Sequence, residues 1–196
     1  MVYSDLVEKG LLKQYDAVLV ACYSVHPLVD MLADRDGEFG RLVVTGIFEA
    51  SILTCLSLLG HGKKWGIVTT GRFWEEHLTR GVNAFLGTDP RDRNTKFAGV
   101  ETTGLTAGDF HGGLDPEFVG QKLREAAGRL LEKWNVECVV MGCAGMAGLE
   151  EIIRSVAVDK YGPTEANQLL VIDGMRAGIG LLEQIAHNKR LFQRTR

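Results

Sequence analysis

The stretch VECVVMGCAGM, residues 136–146, decides the fold class of this chain. Its centre is continuously apolar rather than alternating, which is typical of a parallel strand covered by helices on both faces. The small residues after the apolar run indicate a tight turn. We therefore expect a buried strand at 136–141 that ends in a loop carrying Cys143.

The same kind of apolar run recurs along the 196-residue chain, and segments with helical periodicity lie between the runs. This alternation predicts an α/β fold with right-handed crossovers. A helix predicted at 4–13 precedes the first strand, whereas a doubly wound unit normally opens with a strand, so we expect that an opening strand and helix are missing. Strands are predicted at 16–21, 41–46, 65–70, 97–102, 136–141 and 168–173, and the later helices at about 25–34, 48–59, 72–86, 115–133, 147–159 and 175–191.

Composition argues against several classes of protein. With 45% hydrophobic residues and a net charge of −3, the chain is typical neither of a disordered protein nor of one that binds nucleic acid. Its apolar runs are shorter than the ~18 residues that a membrane span needs, and its first residues lack the order of a signal peptide. The four cysteines are too few for a disulfide scaffold, which favours a reducing, cytoplasmic location.

Two predicted strands end in a cysteine that small residues follow: Cys22 after the first and Cys143 after the fifth. Ligands of open α/β sheets bind at the carboxyl ends of the strands. A cysteine at a helix N-terminus has a lowered pKa, so we expect the thiolate to be favoured here. One thiolate could remove a proton from a substrate carbon while the opposite thiol supplies one, with no metal or organic cofactor.

A free cysteine often only fills space in a core. We interpret Cys55, within a predicted helix, and Cys138, within a predicted strand, in that way. For Cys22 and Cys143 the matched placement after two strands favours a role in a site.

Other motifs that carry chemistry are weak in this sequence. The five histidines lack metal-site spacing, so we expect no metal. Gly178-Ile179-Gly180 lies in a predicted helix and Gly62-Lys63-Lys64 lacks the rest of a P-loop, so nucleotide chemistry loses support. Residues 103–113 contain four glycines, and we interpret them as a connector that could also cover a cleft.

Five stretches carry a resemblance to a known family. They are VLVACYSVHPLV (18–29), VVTGIFEAS (43–51), WGIVTTGRF (65–73), VVMGCAGMAGLE (139–150) and VIDG (171–174). Together they resemble the aspartate/glutamate/hydantoin racemase superfamily, and within it the hydantoin and allantoin racemase branch with its fungal members. The resemblance covers about residues 14–186.

The resemblance implies two pseudo-symmetric α/β domains with parallel sheets and a cleft between them. The first would comprise residues 1–47 and 175–196, and the second residues 48–174. It implies cofactor-independent inversion by Cys22 and Cys143, and a homo-oligomeric assembly. The residues that would line the substrate are Tyr23, Ser24, Gly46, Ile47, Glu49, Thr69, Thr70, Ala144 and Gly145.

The sequence departs from the family at its start, since MVYSDLVEKG, residues 1–10, does not match the Asn-Pro-Asn-Ser/Thr turn of the family's first strand. We therefore expect a truncated first domain. The expected function is racemisation of a hydantoin-type ring, such as allantoin or a 5-substituted hydantoin, with neither nucleic acid nor membrane as partner. The alternatives are a decarboxylase or cis–trans isomerase of the superfamily, or an inactive shortened homologue that binds a metabolite or a partner.

Overall fold

The computed structural model describes residues 2–34, 42–88 and 94–192. Six strands occupy these ranges, and each overlaps a predicted strand, although residue 41 of the predicted second strand lies outside the described residues. The strands are β1 Ala17–Val20, β2 Val43–Gly46, β3 Lys64–Thr69, β4 Phe97–Thr102, β5 Val136–Met141 and β6 Leu170–Asp173.

The helices alternate with these strands. They are α1 Val2–Glu8, α2 Pro27–Ala33, α3 Ile47–Leu58, α4 Phe73–Phe85, α5 Pro116–Leu131, α6 Glu150–Tyr161, α7 Pro163–Ala166 and α8 Gly174–Phe192, with single 3₁₀ turns at Ala107–His111 and Ala144–Met146. In the ranges that the structure describes, no helix is long and apolar enough to cross a membrane.

The strands form two parallel sheets, which confirms the predicted α/β fold class. β1 pairs with β2, and the second sheet has the strand order β4–β3–β5–β6. Val68 of β3 is in register with Met141 of β5, and Val20 of β1 with Gly46 of β2. The loops that follow paired strands therefore begin side by side. The division into domains at residues 47 and 174 stays a prediction.

The core lies on both faces of the larger sheet. Cys138 and Val140 of β5 pack with Trp65 and α3 on one face. Val139 and Met141 pack against α5 and α6 on the other. A strand with a helical layer on each face has no polar side, which explains why its sequence is continuously apolar.

Cys55 of α3 and Cys138 of β5 face each other within this core. Both are fully buried, and their Sγ atoms are 2.8 Å apart. Burial raises the pKa of Cys55 far above its ordinary value, and Cys138 adds to the rise. These two thiols therefore fill core space, as predicted.

Candidate functional site

Two loops at the carboxyl ends of strands carry the remaining cysteines. Cys22 follows β1 and is exposed, and its Sγ lies 3.3 Å from Oγ of Ser24. The N–H of Ser24 donates to the carbonyl of Cys22 at 2.9 Å, which holds the loop in a tight turn. Cys143 follows β5, is half-buried and precedes the 3₁₀ turn Ala144–Met146.

The two thiols interact electrostatically. Burial raises the pKa of Cys143, the backbone N–H of Gly145 acts in the opposite direction, and negative charge on Cys22 raises it further. The two cysteines that the sequence singled out thus lie on loops past the carboxyl ends of β1 and β5. Their joint role in one site stays a prediction.

The predicted lowering of the pKa is wrong for Cys143. The sequence argument placed helices from about residues 25 and 147, after a short turn, but α2 begins at Pro27 and α6 at Glu150. Only a three-residue 3₁₀ turn follows Cys143, so the thiol gains little from a helix dipole. Desolvation therefore decides the direction of the shift.

Thr69 holds the Cys143 loop against β3. Its hydroxyl donates to the carbonyl of Gly142 at 2.6 Å, and the N–H of Gly142 donates to the carbonyl of Val68 at 2.7 Å. A Cβ on Gly142 would lie 2.6 Å from Cγ2 of Ile67, so only glycine fits where the end of β5 passes this close to β3. Thr69 is 1% exposed and its hydroxyl already donates to Gly142, so its side chain supports the loop of Cys143 from within the protein.

Thr70 binds the start of the connector 103–113 through hydrogen bonds. Its carbonyl accepts the hydroxyl of Thr103 at 3.3 Å and the N–H of Gly104 at 3.0 Å. The 3₁₀ turn Ala107–His111 of the connector contacts the turn Ala144–Met146. The connector therefore covers the loop that carries Cys143.

His111 is a residue of this site that the sequence analysis missed. Its Nε2 lies 3.0 Å from the position that a Cβ on Gly145 would occupy, and Sγ of Cys143 lies 3.6 Å from the same position. The imidazole is exposed, and it approaches Gly145 because no side chain stands there. No local signal reveals this proximity, since α5 and β5 lie between His111 and Cys143 in the sequence.

Gly46, Ile47 and Glu49 lie where β2 meets α3. Ile47 is fully buried, so its side chain belongs to the core. Glu49, in the first turn of α3, places its carboxylate against Gly46, and its Oε2 is buried without a hydrogen-bond partner among the described residues. Burial raises the pKa of Glu49, and the negative charge of Asp30 adds to the rise.

Tyr23 points away from Cys22 and into the core. It is 6% exposed and packs edge-on against Phe48, with ring centroids 5.6 Å apart. Its buried hydroxyl makes no hydrogen bond of good geometry in the described part of the chain, since the hydroxyl of nearby Ser51 donates to the carbonyl of Ile47 at 2.6 Å. Burial raises the pKa of Tyr23 well above the ordinary value, and Ser51 opposes part of that rise. Tyr23 therefore anchors the Cys22 loop on α3.

An aromatic cluster at the start of α4 was also missed by the sequence analysis. Phe73 packs on Trp74 and stacks on His77, with centroid distances of 5.2 and 5.4 Å, and Phe73 is 71% exposed. Farther along α4, a Cβ on Gly81 would lie 2.5 Å from Cγ2 of Val25. The helix that presents the cluster thus packs against the loop that follows Cys22.

Comparisons with known proteins agree with this architecture. A family model described as Asp/Glu/Hydantoin racemase matches residues 3–182. An uncharacterized protein of Schizosaccharomyces pombe is 36% identical over 172 residues, which are 88% of this chain and 63% of that protein. A hydantoin racemase of Pseudomonas sp. is 28% identical over 179 residues, covering 91% of this chain and 61% of the enzyme.

A solved structure shows the same fold. The allantoin racemase from Klebsiella pneumoniae superimposes with a TM-score of 0.66 at 22% sequence identity, over 93% of this chain and 64% of that one. The chain thus spans less than two thirds of the length of each of these three relatives.

Proposed function

The chain belongs to the Asp/Glu/hydantoin racemase family, and from that premise we propose that it racemises a hydantoin-type ring, such as allantoin or a 5-substituted hydantoin, without a cofactor. In this proposal Cys22 and Cys143 stand on opposite faces of the ring carbon. One removes its proton and the other delivers a proton to the opposite face.

The observation that carries the proposal is the matched placement of the two thiols, each on a loop just past the carboxyl end of a parallel strand. Cys22 follows a strand of the smaller sheet and Cys143 follows a strand of the larger one, yet charge on one raises the pKa of the other. Negative charge on Cys22 therefore favours the protonated form of Cys143. This is the protonation state that a two-base reaction needs.

The reaction needs little more than these two groups. When a thiolate takes the proton beside the ring carbonyl, the electron pair of the C–H bond moves towards the carbonyl oxygen. Backbone N–H groups of the small-residue turns around Cys22 and Cys143 would stabilise that oxygen. When the opposite thiol gives up its proton, the pair returns to carbon and the configuration is inverted.

The side chains of the residues proposed to line the substrate favour a ring over a free amino acid. Of the residues proposed to line the substrate, only Glu49 carries a charge, and burial raises its pKa. A free α-carboxylate would require a cationic partner there. A hydantoin ring presents amide groups, which backbone turns can bind.

The test measures solvent deuterium uptake and loss of optical rotation with single-enantiomer allantoin and 5-substituted hydantoins. An enzyme-free control is required because these rings exchange slowly on their own. We expect exchange coupled to racemisation, and its loss in the Cys22→Ser/Cys143→Ser double variant.

Parallel assays with substituted malonates and with maleate address the decarboxylase and isomerase alternatives. Turnover of these acids, without racemisation of any ring, would overturn the proposal. Binding of a ring compound without exchange would overturn it in favour of a non-catalytic homologue.

A further inference from the structure

The two-thiol reaction leaves one problem at Cys143, because burial favours its protonated form. In one direction of the reaction Cys143 has to lose its proton, and in the other it has to regain one. A group that exchanges protons with this thiol would remove the obstacle.

The connector 103–113 brings such a group to the site. It is tied to β3 by the Thr103 and Gly104 contacts with Thr70. The Thr106 hydroxyl and N–H both hydrogen-bond to the Asp109 carboxylate, at 2.8 and 2.7 Å, which fixes the start of the 3₁₀ turn. Phe110 packs in the apolar cluster that contains Cys143. The last residue of the turn, His111, is thereby placed over Gly145.

From this geometry we infer that His111 is a positioning and proton-exchanging residue for Cys143, an inference that rests on the proposed function. Nε2 of His111 and Sγ of Cys143 border the same space above Gly145, at 3.0 and 3.6 Å from the position of a Cβ there, and the described structure shows no hydrogen bond between them. When the imidazole turns towards the sulfur, the Nε2 lone pair accepts the proton of the thiol, leaving a thiolate beside an imidazolium. The reverse transfer restores the thiol and the neutral imidazole. No other reactant is needed, and the exposed imidazole links the half-buried sulfur to solvent.

Gly145 is part of this arrangement. A methyl group there would lie 3.0 Å from Nε2 of His111 and 3.3 Å from the carbonyl oxygen of Ala107. It would therefore crowd the contact between the turns Ala107–His111 and Ala144–Met146. The absence of a side chain therefore leaves the space that the imidazole and the thiol both border.

The other ionisable groups around His111 come from three elements. Asp109 lies on its own turn and is engaged by Thr106, which lowers the pKa of that carboxyl. The facing turn brings Cys143 and, through it, Cys22. α5, which also contacts the turn, begins after Asp115, whose carboxylate accepts the N–H of Glu117 at 3.0 Å.

The test follows alkylation of Cys143 by iodoacetamide between pH 5 and 10, in a Cys22→Ser background without substrate. Cys55 and Cys138 are fully buried, so the native protein reacts at Cys143. With His111 present we expect faster alkylation at neutral pH than without it, because the imidazole accepts the proton of the thiol. His111→Asn should lose this advantage, and thiolate forms about tenfold less readily for each unit of increase in thiol pKa.

His61→Asn is the matched control, because His61 is an exposed histidine just before β3, at the opposite end of the strands. It should leave the profile unchanged. In His111→Ala, added imidazole should restore part of the rate at neutral pH, which a purely structural role would not produce.

Identical pH profiles with and without His111, and no rescue by imidazole, would overturn the inference. This result is distinct from failure of the proposed function, because alkylation reports on the thiol without turnover. A protein that racemises hydantoins and shows identical profiles retains the two-thiol reaction and loses only the role of His111.

Discussion

The chain holds two pairs of cysteines, and the pairs behave in opposite ways. Cys55 and Cys138 are fully buried between α3 and β5, with 2.8 Å between their sulfur atoms. Cys22 is exposed and Cys143 half-buried, on loops that follow β1 and β5. Cys138 and Cys143 even belong to the same strand and its following turn.

The difference shows that position along a strand decides what a cysteine can do. Inside β5, the side chain points into a layer of apolar residues where ionisation is costly. Past the carboxyl end of β5 the chain leaves the sheet, and the half-buried thiol lies near the backbone N–H of Gly145 and borders a space that the His111 imidazole also borders. The second position is therefore the one at which we propose chemistry.

The largest expected effect is a loss of racemase activity when a cysteine of the pair on the loops, but not of the buried pair, is replaced. Cys22→Ser and Cys143→Ser should each lower kcat for ring racemisation by about 10²–10⁴-fold, the usual contribution of one general acid or base. The rate of racemisation by polarimetry, normalised to folded protein, measures the loss.

Cys55→Ala is the matched control, since it also removes one thiol but from the core. It should keep kcat within about twofold of the unsubstituted protein, because its effect is on folding and not on the reacting atoms. A site variant that retained the full rate would remove its cysteine from the mechanism.

The next effect concerns Gly142, which packs closely against β3 just before Cys143. In Gly142→Ala the added methyl would meet Ile67 and Thr69 at 2.6 and 2.9 Å. The overpacking should lower the free energy of unfolding by about 1–3 kcal/mol, and displacement of Cys143 should lower kcat as well. Urea unfolding and polarimetry together measure both changes.

Gly180→Ala provides the opposite case in α8, where a Cβ would meet nothing within 4 Å. This change should stabilise the protein by about 0.5–1 kcal/mol through helix propensity and leave racemisation unaltered. Equal unfolding free energies for the two alanine variants would contradict the tight fit at Gly142.

A smaller effect is expected in the core pair itself. Cys55→Ala leaves a gap of about one heavy atom beside Cys138, which should cost about 1 kcal/mol of unfolding free energy. Thermal or urea unfolding at pH 7 measures it. No loss of stability would mean that the thiol contributes no packing.

The smallest effect concerns Tyr23, which links the Cys22 loop to the core. Its buried hydroxyl lacks a hydrogen-bond partner in the described chain, so Tyr23→Phe should leave stability unchanged or raise it by up to about 1 kcal/mol at pH 7. Because burial raises its pKa, its contribution is fully present below the unfolded value of about 10 and falls as pH rises above it.

The Phe variant should therefore lose less stability than the unsubstituted protein between pH 8 and pH 10.5. Urea unfolding at these two values gives the comparison. A larger alkaline loss in the variant would reverse the assigned direction of the pKa shift.

Much of this architecture could be predicted from the sequence. Each predicted strand overlaps an observed one, since a continuously apolar run such as VECVVM has only one favourable environment, a strand between two helical layers. The two cysteines that we propose to react were singled out for the same reason, because they follow such runs. These inferences depend on local patterns.

What the sequence did not provide depends on contacts between distant segments. The pKa direction of Cys143 was wrong because the length of the turn before α6 has no clear sequence signal. His111 was missed because only the folded connector brings it over Gly145. Tyr23 and Thr69 were expected to line the ligand, but packing against Phe48 and a hydrogen bond to Gly142 engage them within the protein.

The central claim is that Cys22 and Cys143 act on opposite faces of one carbon. The most direct test follows deuterium exchange in D₂O at the ring carbon of each enantiomer of a 5-substituted hydantoin, with the Cys22→Ser and Cys143→Ser variants and an enzyme-free control. We predict that each variant exchanges one enantiomer without inverting it, and that the two variants select opposite enantiomers. Exchange of the same enantiomer by both variants, or inversion at the full rate by either, would contradict the account.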